Sequence, residues 1–357
     1  MNGNHGLLRV SKKDALRLTD AVIFDVDGVL IDSRGSYDRA IEVTVSHFLS
    51  SILGLKLNQT FPTQQLVEAL RATGQYNNDI DATAAILVSI VANLPSEEVE
   101  KCLHDQSKRV VGLQEALDSE AFPAQVLSLL NTASHGFASF ANEIKAKVPN
   151  SATNIHGLLE RLGYPGGPVS SSLSRVFDEY YYGPELIKQL HGLDPVVGCR
   201  RGLIDSEKVL VSAEMLQLLS SLVPKSTIGI VSGRSRLGTE QTLGELMRFF
   251  QDGPMIFLED HDPHTNAKQP IPGKPSPESL LLAADHTKTS KSILYVGDSM
   301  EDLMMTNNAN RALAKFTFCG VTPLTNSPHR AAALAELGAD AILQSVNDLP
   351  FLLSSVR

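Results

Sequence analysis

The sequence predicts an α/β protein: a doubly wound, Rossmann-like parallel sheet with an all-helical domain inserted after its first strand. Three observations carry that prediction. The apolar run at residues 21–24 has the look of a buried parallel strand, and apolar strand-like runs recur at 227–231, 255–258, 292–296, 315–318 and 341–343. Helical spacing fills the gaps between the later runs, at 213–222, 237–250, 277–284 and 301–309, and strands alternating with helices imply a parallel sheet. Between residues 36 and 202 the strand signal nearly vanishes.

Along the chain, the first strand at 21–24 ends on Asp25. After it, Tyr37, Ile41, Val45, Phe48 and Ile52 recur at helical spacing, and similar patterns mark 97–117, 156–162 and 173–190. Residues 121–151 give the weakest pattern, readable as an extra helical pair or as an excursion from the helical block. From about residue 206 the strand–helix alternation resumes and runs to the C-terminus. The expected organisation is therefore an α/β core of residues 1–35 and 203–357 around an enlarged helical domain of residues 36–202. No repeat or low-complexity tract interrupts it.

Composition narrows the function class. At 357 residues two domains are the natural expectation, and 43% hydrophobic with 20% charged residues is an ordinary globular balance. With 31 basic and 40 acidic side chains the formal charge is −9, which weighs against a nucleic-acid reader. Cys102, Cys199 and Cys319 lie far apart, without metal-ligand spacing and without the density of a disulfide-built secreted protein. The first twenty residues lack the apolar core of a signal peptide, and the apolar run at 84–94 is too short to span a bilayer. The reading is a cytoplasmic protein without nucleic-acid or membrane partners; its oligomeric state is unknown from sequence.

The candidate chemistry sits at the ends of the strands, where doubly wound sheets place their ligands. The first strand runs into Phe24-Asp25-Val26-Asp27-Gly28, and a turn at Gly28 can aim both carboxylates at one pocket. One carboxylate of such a pair can attack phosphorus while the other protonates the leaving group and later activates water. Both would repel a phosphate unless a hard cation intervened, and magnesium is the usual choice for oxygen ligands. Taken alone, the tetrapeptide reads equally well as a turn closed by Asp and Gly.

Three further strand ends complement it. Val296-Gly297-Asp298-Ser299-Met300-Glu301-Asp302 places Asp298 at a buried strand end, where a charge needs a reason. Asp302 falls one turn later at a helix N-terminus, where a carboxylate is favoured with or without a metal. Ile230-Val231 leads into Ser232-Gly233-Arg234, offering a hydroxyl, a close-approach glycine and a cation for phosphate oxygens. Lys274 lies in Pro272-Gly273-Lys274-Pro275, just before a helix.

In this order the four pieces resemble the haloacid dehalogenase superfamily, in particular its phosphatase-like members with a helical cap of the C1 type, the phosphoglycolate phosphatases and β-phosphoglucomutases among them. The resemblance spans residues 21–32 and then 206–357. It implies Asp25 as nucleophile, Asp27 as general acid/base, Ser232 as hydrogen-bond donor to the transferring phosphoryl group and Lys274 as charge neutraliser. It also implies a magnesium ion held by Asp25, Asp298 and the backbone carbonyl of Asp27, with Asp302 supporting the site. The second aspartate, Asp27, sets the chain apart from true dehalogenases and makes it look like a phosphoryl-transfer member. The expected activity is a magnesium-dependent phosphatase acting on a small phosphorylated metabolite through an aspartyl phosphate. A phosphomutase or a phosphometabolite-binding protein without turnover are the alternatives.

Within the helical block, Gly74-Gln75-Tyr76-Asn77-Asn78-Asp79-Ile80-Asp81 is a polar turn whose Asn77 and Asn78 are candidate substrate ligands; a helix N-cap at Asn78 or Asp79 is the slightly favoured reading. With Ser232-Gly233-Arg234 it resembles a less-characterised, phosphatase-like subgroup of the superfamily. The helical block is longer than the usual cap, and an acidic, histidine-containing run at 259–266 precedes the lysine loop. That run reads as a solvated loop in preference to a metal site, because its spacing fits no familiar ligand pattern.

Overall fold

The computed structural model describes residues 7–8, 13–58, 61–73, 76, 78–105, 111–133, 136–261, 271–287, 290–322 and 328–357. The chain divides into two compact units, residues 1–34 with 206–357, and residues 35–205.

The first unit is built on a seven-stranded sheet. Its strands are β1 (Leu7–Leu8), β2 (Ala21–Phe24), β5 (Ile228–Val231), β6 (Met255–Ile256), β7 (Ile293–Gly297), β8 (Phe316–Val321) and β9 (Ala341–Leu343), in the order β1-β9-β8-β7-β2-β5-β6. A separate antiparallel pair joins β3 (Ile31–Asp32) to β4 (Lys208–Val209). The six strands from β9 to β6 run parallel, and β1 caps the β9 edge antiparallel. From β2 the chain moves outward through β5 to β6, then returns to the other side of β2 as β7 and proceeds outward to β9. The reversal falls between β2 and β7. Connections leave that point in opposite directions, which opens a crevice at the strand C-termini.

Strand periodicity fixes the layers. Val22 and Phe24 of β2, with Leu294 and Val296 of β7, point into one core, whereas Ala21, Ile23, Ile293 and Tyr295 point into the other. Every residue of β2, β5, β7 and β8 is buried, as in a parallel sheet covered on both faces. Each fully buried Leu, Ile or Phe in these layers contributes about 1.5–3 kcal/mol.

Two expected elements end early. The pattern over 237–250 is a helix only at Arg236–Leu243; Gly244, at φ +53°, breaks it, and Gly244–Phe249 continues as a 3₁₀ turn. The run at 255–258 pairs only over β6, because Leu258–His261 coils into a helical turn. β1 and β4, two residues each, are too short to carry a pattern.

In the second unit no strand occurs among the described residues. Helix Asp79–Asn93 is buried without interruption from Ala82 to Ala92 and is packed by helices Thr63–Ala72, Phe122–Leu130, Phe137–Lys147 and Ala152–Leu162. A helix apolar all round belongs at the centre of a bundle, so the apolar run at 84–94 is a core helix. The segment 121–151 resolves into the helices Phe122–Leu130 and Phe137–Lys147 and a 3₁₀ turn. Tyr181 and Tyr182 fill this unit's interior, with Tyr37 stacked on Tyr181 at 4.3 Å. Among the described residues no single helix is long and apolar enough to cross a membrane.

Candidate active site

The crevice between β2 and β7 collects the acidic residues of two separate sequence segments. Asp25 follows β2 directly, and its backbone N–H donates to Val296 O of β7 at 2.9 Å, so the two strand ends are stitched together. Beyond it the chain turns sharply: Gly28 N donates to Ile31 O, and the N–H groups of Leu30 and Ile31 return to Val26 O. Gly28 has φ +75°, and a Cβ built there would stand 2.3 Å from Asp298 Oδ2. Both the backbone conformation and the neighbouring carboxylate therefore demand glycine.

Asp298 and Asp302 follow β7. Ser299 caps the helix Met300–Ala312 in a capping box: its side chain accepts from Asp302 N, and Asp302 Oδ2 accepts from Ser299 N. The same Oδ2 accepts from Ser299 Oγ at 2.7 Å and from Asp298 N at 3.2 Å. Gly297 packs against this carboxylate, where a Cβ would approach Asp302 to 2.6 Å. The other oxygen, Oδ1, lies 3.1 Å from Tyr295 Oη and 2.7 Å from Lys274 Nζ.

Lys274 joins the halves. Its Nζ is 2.9 Å from Asp25 Oδ1 and 2.7 Å from Asp302 Oδ1, over the Tyr295 ring at 5.6 Å. Asp298 is held from outside by Arg330, at 2.8 Å from Oδ2, with Arg34 at 3.9 Å.

The electrostatics follow from burial and from who faces whom. Burial pushes Asp25 up to about 7; Lys274 opposes this, while Asp302 and Asp27 add to it. Asp298 is pushed up to about 6 by burial and by Asp302, against Arg330, Arg34 and Lys274. Burial also acts on Asp302, but Lys274 and the Ser299 donors outweigh it and hold its carboxyl below the usual range. Burial disfavours the Lys274 ammonium, yet Asp25 and Asp302 raise its pKa well above the ordinary lysine value. Three carboxylates thus cluster at the crevice, Asp25 and Asp302 sharing Lys274 while Arg330 and Arg34 face Asp298.

Such a cluster could hold a divalent cation. Asp25, Asp298 and Asp302 each offer an oxygen within 4.8 Å of the others, an all-oxygen set of the type magnesium takes. Asp25 is buried and Asp298 partly so, and burial raises both carboxyls. Asp302 has both oxygens in contact with protein donors, among them Lys274 and the Asp298 backbone N–H.

Ser232 stands at the end of β5, the other neighbour of β2, and is buried; its Oγ accepts from Arg234 N at 3.3 Å. Gly233 is exposed, with open space where a Cβ would lie. Arg234 departs from the expected role. Its side chain is wholly buried, and its guanidinium contacts Asp27 Oδ1 at 3.0 Å, Glu207 at 2.5 and 3.1 Å, Gly238 O and Thr242 Oγ1. The guanidinium is turned into the unit instead of toward a phosphate, because Glu207 supplies a bidentate partner there.

Asn77 lies outside the described residues. Asn78, in the helical unit, is exposed and caps helix Asp79–Asn93, its Oδ1 accepting from Ile80 N at 2.9 Å and Asp81 N at 3.3 Å. Of the acidic run at 259–266, residues 262–266 lie outside the described residues. Glu259 accepts from Arg236 N, and Asp260 from Phe257 N, as in a local turn. Sequence reasoning missed Tyr295, Glu207, Arg330 and Arg34. Tyr295 is hidden inside an apolar strand, and the others stand outside the motifs, so no local signal marks them.

No protein-family model matches the chain. Among curated proteins, the phosphonoacetaldehyde hydrolase of Lactiplantibacillus plantarum is 32% identical over an alignment of 102 residues, which takes in 24% of this chain and only 38% of that protein. Among solved structures, a structural-genomics target of unstated activity superposes over 94% of this chain and 99% of its own, at 20% identity and a TM-score of 0.64. The phosphatase Tt82 of Thermococcus thioreducens does so over 94% and 98%, at 21% identity and a TM-score of 0.54. Both are likenesses of fold.

Proposed function

We propose, from the premise that this chain has the fold of the haloacid dehalogenase superfamily, that it is a phosphoric monoester hydrolase. Its substrate is a small phosphorylated metabolite, and magnesium is its cofactor. The observation that carries the reading is the bridge of Lys274 Nζ between Asp25 and Asp302, at the point where the strand order reverses. A lysine placed between a strand-end carboxylate and a fully hydrogen-bonded one keeps the first available and tethers positive charge where phosphate oxygens would lie.

In this mechanism the phosphate sits at the C-terminal ends of β2, β5 and β7. Asp25 attacks phosphorus in line, forming an O–P bond as the ester O–P bond breaks, and Asp27 gives its proton to the departing alcohol. Asp27 then takes a proton from water as the water oxygen attacks phosphorus and the Asp25 O–P bond breaks. Inorganic phosphate leaves with the Asp25 carboxylate and the Asp27 carboxylic acid both restored. Ser232 Oγ and Lys274 hold phosphoryl oxygens throughout, and catalysis consists mainly of positioning and charge neutralisation. Asp25, Asp298 and the Asp27 carbonyl would hold magnesium, which would supply the charge that lets an anionic nucleophile approach an anionic phosphate.

The test is phosphate release from a panel of small phosphorylated compounds, including sugar phosphates, phosphoglycolate, histidinol phosphate and phosphonoacetaldehyde, in magnesium and in EDTA, beside Asp25→Asn. Release that requires magnesium and is lost in the variant is the expected result. Normal release by Asp25→Asn, without deamidation back to aspartate, overturns the assignment. Phosphate moved between positions of one sugar without release would make the protein a mutase, and binding without either would make it a sensor.

A further inference from the structure

Arg234 and Glu207 are charges that the reaction scheme above leaves unused, and Arg234 reaches Asp27, which the scheme does use. The Arg234 side chain and the Glu207 side chain are both fully buried, whereas that of Asp27 is one-third exposed. One guanidinium nitrogen is shared, at 3.0 Å from Asp27 Oδ1 and 3.1 Å from Glu207 Oε1; the other is 2.5 Å from Glu207 Oε2. Thr242 Oγ1 donates to Glu207 Oε2 at 3.1 Å, and Gly238 O accepts from the guanidinium at 3.2 Å. The planar fork is thus fixed on three sides and has one edge left to present to Asp27.

Position explains the purpose. Arg234 lies two residues after Ser232 and its backbone N–H donates to the Ser232 hydroxyl, so the cation and the phosphate-facing serine share one turn. Glu207 immediately precedes β4, and β4 pairs with β3 in the loop that carries Asp27. Taking an arginine and a glutamate out of water carries a desolvation cost that their attraction must repay. An apolar pair would pack that space at less cost, yet it would leave the Asp27 carboxylate free to rotate.

We propose that Arg234 is the positioning residue for Asp27: it fixes Oδ1 so that Oδ2 faces the ester oxygen and, in the second step, the attacking water, while Glu207 locks the guanidinium. This rests on the hydrolase reading above. Oδ1 accepts the Arg234 hydrogen bond whether or not Oδ2 carries the proton, so the same contact holds Asp27 through both proton transfers. The proton moves from Oδ2 to the leaving oxygen, and later from water to Oδ2; Arg234 neither gains nor loses one.

A positioned acid matters most when the leaving group is poor, and that separates this role from a merely structural one. The experiment measures phosphate release from para-nitrophenyl, methylumbelliferyl and phenyl phosphate, in magnesium, for the wild-type protein, Arg234→Lys and Glu207→Gln. A lysine carries the charge but cannot bridge Asp27 and Glu207 with a planar fork. For Arg234→Lys, kcat on phenyl phosphate falls by about 100-fold or more, within the range typical of general acid loss, while para-nitrophenyl phosphate loses less than about tenfold. KM stays near the wild-type value, and Glu207→Gln changes the leaving-group dependence in the same direction by less. Equal losses across the three esters in both variants overturn the positioning role and leave the hydrolase reading intact. A wild-type protein that releases phosphate from none of the three esters, nor from any metabolite of the panel, overturns both.

Discussion

Lys274 Nζ is closer to Asp302, at 2.7 Å, than to Asp25, at 2.9 Å. The shorter contact goes to the carboxylate that is fully hydrogen-bonded by Ser299, Asp298 N and Tyr295, and that is itself 0% exposed. Asp302 therefore anchors the lysine, and Asp25 keeps an oxygen for chemistry. Lys274→Met, of similar length without charge, lowers phosphate release by about 100-fold or more, the scale found on removing one preorganised charge-stabilising group. It also leaves two buried carboxylates facing each other, so the variant melts below the wild type by a margin that widens at alkaline pH. Parallel assays of turnover and thermal unfolding check both effects; unchanged turnover would remove Lys274 from the site.

The raised carboxylates give a pH dependence with a definite sign. Asp25 stands at about 7 and Asp298 at about 6, both above the ordinary 3.8, so the metal-free folded protein holds protons that the unfolded chain has released. Their contribution to stability is complete below the unfolded value and is lost as pH rises through about 6 to about 7. In EDTA, Asp298→Asn should gain melting temperature relative to the wild type as pH rises across that interval. If magnesium binds as proposed it competes with those protons, so its stabilisation of the wild-type protein should grow over the same interval. Differential scanning fluorimetry with and without magnesium measures both; a magnesium effect that is the same on the acid and alkaline sides contradicts the coupling.

Gly28 is the hinge of the first motif. Its φ of +75° and the 2.3 Å approach of a built Cβ to Asp298 Oδ2 leave alanine no comfortable position. Gly28→Ala should cost about 1 kcal/mol or more in backbone strain alone. The clash adds to that and pushes Asp298 away from Asp25, so turnover falls together with stability. Urea unfolding and phosphate release check the pair; a variant that is destabilised yet fully active would show that Asp298 does not need its present position.

The legibility of this chain in its sequence follows where information is local. The strand-end aspartates could be read because a buried strand, a charge and a glycine turn are contiguous, as at Phe24-Asp25-Val26-Asp27-Gly28 and Val296-Gly297-Asp298. Strand order was implied only as a class, since the β2–β7 neighbourhood depends on crossovers of many residues. Arg234 was legible as a cation beside Ser232, but its direction was not. That direction is set by Glu207, whose neighbours in sequence carry no motif, and by Thr242 on the following helix. Tyr295 sits within a run of apolar strand residues, so its hydroxyl contact with Asp302 emerges only once β7 and the following helix are folded together.

Asn78 offers the clearest separation of a local from a functional role. Its Oδ1 receives Ile80 N and Asp81 N at the start of helix Asp79–Asn93, the central helix of its unit. Losing that cap in Asn78→Ala should cost about 1 kcal/mol, whereas Asn78→Asp keeps an acceptor, adds a charge favourable at a helix N-terminus and should hold the wild-type stability. If capping is its whole task, both variants keep the wild-type KM for whichever phosphorylated compound the panel identifies. Unfolding monitored by circular dichroism, with KM measured on the same preparations, decides the matter. A KM raised several-fold in Asn78→Asp at unchanged stability would return Asn78 to the substrate-binding role expected from its sequence.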